Sequence, residues 1–392
     1  MDSEDDLLAA RFRHFQQEAT GASALYHNLC GSLADDVAAG GLFASVMRAA
    51  PLRSRMPNLL MAAVQRVLFD EPGDPLAGYY GSLGGERAPD DALFAAFSSF
   101  VVRHRERIDA LLSSGETQTN EVLRACQLLP ALGWAHACTR RPLALIEVGT
   151  SAGLLLHADR YSYVYEFDDG ADLRAGRGDA DGVPELHCTV RTGGSADAVA
   201  AWKALEPFVA RELRVASRVG IDVNPLDPAD PEARAWLRAL VWPEEAERRD
   251  RLEAALGHAR RRPVRLRKGS GLRILPDAVD SVPQTAIPCV FVSNSLPHWA
   301  PEDREKFAAL IRELGARRDL VCVLKEGYAA GLGLFTGRQH DPSAGSASAE
   351  GRGVSRVTVG AAVYLGGSER LFHLGSGDMH GTDLEWSARP AG

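Results

Sequence analysis

Nowhere in this sequence does an apolar run reach the roughly 18 residues that span a bilayer, so no membrane-embedded segment is expected. The opening residues, Met1-Asp2-Ser3-Glu4-Asp5-Asp6, are acidic and lack the positive charge of a signal peptide. Cysteine is sparse: Cys30, Cys126, Cys138, Cys188, Cys289 and Cys322 form no C-x-x-C pair. That scatter argues against a cysteine-based zinc site and suits buried free thiols in a reducing cytoplasm. The G-x-x-x-x-G-K-[ST] loop of P-loop enzymes is missing, and no G-x-S-x-G elbow is expected, which weighs against a hydrolase. An excess of basic charge is missing too. The formal net charge of −8 disfavours a nucleic-acid partner, without excluding a local basic pocket.

What is present reads as a soluble α/β protein, with 45% apolar and 24% charged residues. Residues 7 to about 115 have a helical pattern. Leu59, Leu60, Ala63, Val64 and Val67 recur at helical spacing, as do Ile108, Leu111 and Leu112. Pro51, Pro57, Pro72, Pro75 and Pro89 mark the breaks. Residues 1–115 carry no catalytic signature and are expected to form a helical cap domain. Another helix is expected from near Thr119 to Leu132, capped by Thr119 or Asn120 and kinked or ended by Pro130.

From residue 143 the pattern alternates between strands and helices. Strands are predicted at 143–148, 161–167, 186–190, 218–222, 264–266, 289–293, 320–324 and 357–365. Leu371 and Phe372 start a last short one. Helices are predicted at 154–159, 196–213 and 301–314. An acidic turn fills 168–182, and a Gly- and Ser-rich loop fills 337–353. This alternation implies a mostly parallel sheet covered on both faces. Residues 116–392 are therefore expected to be one α/β domain with an insertion at 161–217.

Ligands of such sheets bind beyond the carboxyl ends of the strands. Four of those ends carry candidate residues. The first is Glu147-x-Gly149-x-Ser151-x-Gly153, where glycines allow a tight turn and the following helix is expected to offer free N–H groups to an anion. A plain strand-to-helix turn is the alternative. This layout resembles the first motif of S-adenosylmethionine-dependent methyltransferases, with Ser151 in place of the usual middle glycine. The second is Asp222, an acid suited to ribose hydroxyls or, more plainly, to capping the next turn. It lies far beyond the roughly 20-residue spacing of a compact unit, a gap the insertion would explain.

The third end is Arg265-Leu266-Arg267-Lys268-Gly269-Ser270-Gly271-Leu272-Arg273. Its cations could hold sulfate, phosphate or carboxylate, or form a solvated edge. Many methyltransferases place an acid for adenine where Ser270 stands. The fourth is Ser293-Asn294-Ser295-Leu296-Pro297-His298. Asn294 and Ser295 could bind substrate, and His298 could act as a general base. Lys325 and Glu326 follow the next strand, and Glu326 is a further catalytic candidate. Gln118 and Asn120 are candidate substrate ligands. His373, Asp378, His380, Asp383 and Glu385 cluster near the end, but their spacing is not that of a metal site, and no metal is expected.

Several stretches together resemble a bacterial family known only as domain of unknown function 2332. They include Phe12-Arg13-His14-Phe15, Ser23-Ala24-Leu25-Tyr26 and Gln118-Thr119-Asn120-Glu121-Val122. Further ones are Glu147 to Leu154 with Asp159-Arg160-Tyr161, Asp222-Val223-Asn224-Pro225-Leu226-Asp227, Trp236 to Pro243, and His380-Gly381 with Leu384-Glu385-Trp386. The resemblance covers nearly the whole chain. It implies a helical front end and a methyltransferase-like Rossmann core, but supplies no activity. Two departures stand out. Ser270 replaces an aspartate usual after Gly269, and Ser293-Asn294-Ser295 replaces a segment richer in His-Ser.

Three functions follow as expectations. The first is methyl transfer from S-adenosylmethionine to a small molecule in bacterial specialised metabolism, of the antibiotic-biosynthesis kind. The second keeps the fold but eliminates sulfate or phosphate, or closes a ring, on an amine substrate held by a small carrier protein. The third is non-catalytic binding. A cytoplasmic location is expected, with a small-molecule substrate and no membrane partner.

Overall fold

The structure, a computed structural model, describes residues 3–118, 120–168, 170–176, 182–191, 198–340 and 356–391. Thr119 lies outside them, as do the acidic turn at 169 and 177–181 and the Gly- and Ser-rich loop from 341 on. The chain divides into two compact units. One is Met1–Thr119 with Ala229–Leu252; the other is Asn120–Pro228 with Glu253–Gly392.

The first unit is helical. Helix Glu4–Glu18 starts at Ser3, whose hydroxyl accepts the Asp6 N–H while the Asp6 carboxylate accepts the Ser3 N–H. Two otherwise orphaned donors are thus satisfied together. Helices Ala24–Ala38, Leu42–Met47, Pro57–Leu68, Leu93–Arg103 and Arg105–Ser114 follow. Their apolar stripes build one core around Phe12, Leu29, Phe43, Leu60 and Phe97. Trp236 and Trp242 of the returning segment pack on it. Buried Gln65 donates from Nε2 to the carbonyls of Ala239 (2.9 Å) and Val241 (2.8 Å), so its amide is not left unbonded in the core.

The second unit is a mixed α/β structure with a large, mostly parallel sheet. Its strands are β1 Leu143–Val148, β2 Ser162–Phe167, β3 Asp172–Gly176, β4 Glu185–Val190, β5 Val215–Asp222 and β6 Arg265–Lys268. The rest are β7 Ile287–Ser293, β8 Leu320–Glu326, β9 Arg356–Leu365, β10 Ser368–Asp378 and β11 Asp383–Pro390. They lie in the order β3-β2-β4-β11-β10-β9-β8-β7-β1-β5-β6. The stretch β6-β5-β1-β7-β8 is parallel throughout, so its carboxyl ends share one edge. β9, β10 and β11 continue it as an antiparallel meander. Residues from the expected insertion extend the far side as β4, β2 and β3.

Alternation along the strands divides the core. Ala144, Ile146, Val290, Val292, Cys322 and Leu324 face helices Gly271–Asp280 and Pro301–Arg317. Helix Ala125–Thr139 also packs on β8 and β9.

Several expectations need correction. The helix expected to start near Thr119 begins instead at Ala125, after a short 3₁₀ turn Val122–Arg124. It runs through Pro130, which ends nothing. Residues 154–160 are a 3₁₀ helix rather than an α-helix. β3 occupies part of the expected turn, β10 is eleven residues long rather than short, and β11 was not foreseen. Pairing, not local apolarity, makes these strands: β3 and β11 have several exposed or half-exposed residues and hold through their neighbours' backbones.

Candidate functional site

The shared carboxyl edge gathers the ends of β1, β5, β7 and β8. At β1, the N–H groups of Gly149 and Thr150 both donate to the Ile221 carbonyl of β5, at 2.8 and 3.3 Å. The Ser151 N–H donates to Asp222 Oδ2 at 2.8 Å, the Ala152 N–H to Asn120 Oδ1 at 3.4 Å, and the Gly153 N–H to the Thr150 carbonyl at 2.9 Å. Every backbone donor from 149 to 153 is therefore used inside the protein. The loop from 149 to 153 therefore offers no free N–H group to an anion. A 3₁₀ helix of seven residues, lacking the summed dipole of a long α-helix, follows instead.

Asp222 acts first as a latch. Its Oδ2 holds the β1 loop, and its Oδ1 accepts the Asn224 N–H at 2.9 Å. The backbone at 149 needs glycine, because φ is +81° and a Cβ would collide with Ser295 of the β7 loop. The ends of β1 and β7 are thus in intimate contact. Among the described residues, three non-glycines have positive φ: Arg140, Ser151 and Asn294. Two of the three lie at these strand ends, where backbone strain typically clusters with function.

Gly149-Thr150-Ser151-Ala152-Gly153 spells G-x-S-x-G, which corrects the expectation that this elbow motif is absent. Ser151 has the strained φ, at +49°, that a nucleophile elbow would show. Its Oγ, however, receives a hydrogen from Asn120 Nδ2 at 2.9 Å, and an amide cannot serve as the base that activates a serine.

Behind the rim lies a group of buried ionisable side chains. Glu147 closes β1, and its Oε2 accepts the Thr150 hydroxyl hydrogen at 2.6 Å. Burial pushes its pKa up to about 8, opposed by that hydrogen bond, reinforced by the Asp222 charge and opposed by Arg124. Glu326 ends β8. Its Oε1 accepts the N–H groups of Ser295 (2.8 Å) and Leu296 (3.2 Å), which pins the β7 loop. Its Oε2 is buried without a hydrogen-bond partner. Burial raises this carboxyl to about 7, against the pull of those two N–H groups and of Lys325 and Arg124.

Lys325, one residue earlier, is fully buried. Its Nζ donates to the Met379 carbonyl at 3.0 Å and to Asn294 Oδ1 at 3.4 Å. Burial first, then Arg124, lower it to about 7, while Glu326, Asp378 and Glu121 oppose the shift. Asn294 also donates from Nδ2 to the Met379 carbonyl at 3.0 Å. The loop after β10 is folded about Asp378, whose carboxylate accepts N–H groups of His380, Gly381, Thr382 and Asp383. Burial works against that charge, yet the four donors hold its pKa below the usual value.

The structure brings together Glu147, Gly149, Ser151, Gly153, Asp222, Asn120, Asn294, Ser295 and Glu326. His298 stands solvent-exposed just beyond Ser295. Its pKa is lowered by surrounding protein and by Arg124. Gln118 lies half-buried in the helical unit. The basic segment is distributed differently. The two-residue period of β6 puts Arg265 and Arg267 on one face and Lys268 on the other. Arg267 is 3.7 Å from the Asp277 carboxylate, while Arg265, Lys268 and Arg273 are exposed. Ser270 stands at the N-cap of helix Gly271–Asp280 without a side-chain capping bond.

Arg124 and Glu121 are the members missing from the sequence-derived set, while Lys325 stands at the strand end where the sequence places it. Arg124 is buried and its charge bears on Glu147, Lys325, Glu326 and His298. Among the described residues, no group of three or more His, Cys, Asp and Glu is arranged to hold a metal ion. In the carboxy-terminal cluster, Asp383 pairs with Arg191 and Arg356, and His373 bonds Ser387. No described helix is long and apolar enough to cross a membrane.

Over residues 9–386 the chain matches the family described as "Uncharacterized protein conserved in bacteria (DUF2332)". No curated protein and no solved structure matches it. With nearly its whole length matched, the chain belongs to this DUF2332 family.

Proposed function

We propose that this protein is an enzyme that modifies a small molecule at the carboxyl edge of its sheet, by methyl transfer from S-adenosylmethionine. The observation that carries this reading is the strand order β6-β5-β1-β7-β8. The chain lays down β1, adds β5 and β6 on one side, then returns to add β7 and β8 on the other. That order supports a doubly wound, Rossmann-like reading, and ligands of such sheets bind where the order reverses. Here the reversal falls between β1 and β7, at Glu147–Gly153 and Ser293–His298.

The residues fit the nucleoside part of that cosubstrate. A carboxylate offers about four lone pairs, and Asp222 spends two on backbone N–H groups. The remainder suits the two hydroxyls of a ribose. The loop's N–H groups, already used, do not suit a second anionic group. The cosubstrate would supply an electrophilic methyl group. The chain's own side chains would orient the acceptor through Asn294 and Ser295, and His298, neutral at pH 7, would take its proton. Elimination driven by a basic pocket has less in its favour, because Arg265, Arg267, Lys268 and Arg273 are split between faces or exposed. Plain binding would leave the buried Glu147, Lys325 and Glu326 unexplained.

Calorimetric titration with S-adenosylmethionine tests the proposal. Wild type should bind with micromolar affinity, about −8 kcal/mol. Asp222→Asn should weaken binding by about tenfold or more, since charged hydrogen bonds contribute about 1.5–3 kcal/mol. A thermal melt of the variant checks that the loop survives. Absence of binding by wild type at about 1 mM ligand would overturn the reading.

A further inference from the structure

We propose that Lys325 is a carbonyl-reactive amine, which forms an imine with a small aldehyde or oxo acid, assisted by the Ser293 hydroxyl beside it. The chain is poor in lysine. Of its 44 basic Lys and Arg residues only Lys203, Lys268, Lys306 and Lys325 are lysines. The first three are exposed, and Lys325 is fully buried. A buried cation held for structure alone would be served by arginine, which spreads its charge over more donors and which fills the other buried cationic position among the described residues, Arg124.

The hydrogen-bond count points the same way. An ammonium has three N–H donors, whereas Lys325 has two acceptors, the Met379 carbonyl and Asn294 Oδ1. Both are neutral. Two N–H groups satisfied and one lone pair left is the stoichiometry of the free amine, the nucleophilic form. Burial and the nearby Arg124 charge favour that form. A second observation is independent. Ser293 is the register partner of Lys325 on β7, so the two side chains share a face. Its Oγ is buried and has no hydrogen-bond partner. A hydroxyl placed there can donate to a carbonyl oxygen as the amine attacks. The acidic groups Glu326, Asp378 and Glu121 bear on the same amine and oppose the effect of Arg124.

The step balances without any redox partner. The Nζ lone pair forms a C–N bond to the carbonyl carbon, giving a carbinolamine. The carbonyl oxygen then leaves as water with both amine hydrogens, and a C=N bond remains. Entry displaces the Asn294 side chain, the longer of the two contacts on Nζ. None of this depends on nucleoside binding at β1 and β5, so the two proposals fail separately.

The test treats the full-length protein at about pH 7 with glyoxylate or acetaldehyde and cyanoborohydride, followed by peptide mass mapping. Lys325 should be alkylated at least tenfold faster than Lys203, Lys268 or Lys306, roughly as expected for the one lysine amine deprotonated near neutrality. Its rate should level off above about pH 7, while the exposed lysines continue to gain. Lys325→Met should abolish the adduct, and Ser293→Ala should slow it about threefold or more with an unchanged melting temperature, because Oγ gives up no hydrogen bond. Labelling confined to the exposed lysines and the amino terminus, or Ser293→Ala labelled at the wild-type rate, would overturn the proposal.

Discussion

Replacing Glu147 by glutamine should stabilise the protein, and by more as the pH rises. The carboxyl is buried at the end of β1, with a folded-state pKa near 8 against 4.5 for an ordinary glutamate. Between those values the native protein keeps a proton that the unfolded chain has released. Stability therefore falls with rising pH across that window, at up to about 1.4 kcal/mol per pH unit. Over the whole window the loss reaches about 5 kcal/mol. Glutamine resembles the protonated acid, and its carbonyl oxygen can still accept the Thr150 hydroxyl hydrogen. The variant has no proton to lose. Denaturant unfolding of both proteins at about pH 5.5, 7 and 8.5 measures the difference directly. The variant's lead should be smallest at the lowest pH, about 1.4 kcal/mol, and should grow by about 3 kcal/mol towards the highest. A difference that stays constant with pH, or a variant that loses most at high pH, would refute the argument that burial governs this group.

Other outcomes follow from the same edge. Gly149→Ala, at φ +81° and against Ser295, should cost about 2 kcal/mol or more, measured by unfolding. A fluorophosphonate should leave Ser151 unlabelled despite its G-x-S-x-G setting, because the Asn120 amide that donates to its Oγ cannot act as a base. Intact-protein mass measures that, and stoichiometric labelling would show a base the account omits. Asp378→Ala removes the acceptor of four backbone N–H groups and should cost about 3 kcal/mol at pH 7. That cost should shrink only in acid below the ordinary carboxylate range, as first the unfolded chain and then the folded carboxylate take up a proton.

Much of the sheet was legible because strands buried on both faces read as continuous apolar runs. β1, β7 and β8 are such runs. Their polar terminal residues, Glu147, Ser293 and Glu326, stand out against that background and mark the edge where chemistry gathers. β3 and β11 have no such signature, since they depend on partners distant in sequence. The segment 229–252 has the amphipathic period of any crossover helix. Nothing in its pattern tells that Trp236 and Trp242 pack with the helical unit. Arg124 was hidden for a similar reason. A single arginine in a polar run before a helix looks like a solvated cap, and only the fold buries it among four other ionisable groups. The basic run 265–273 shows the converse. Close spacing in sequence suggested convergence, but the strand period splits it.

The central claim is that the ends of β1, β5 and β7 form one crevice for a ligand. Amide hydrogen exchange with and without S-adenosylmethionine tests it most directly. Protection should rise together in peptides covering 147–153, 220–226 and 293–298 and should leave the helices of the first unit unchanged. Protection confined to one of those segments, or falling mainly outside them, would contradict the account.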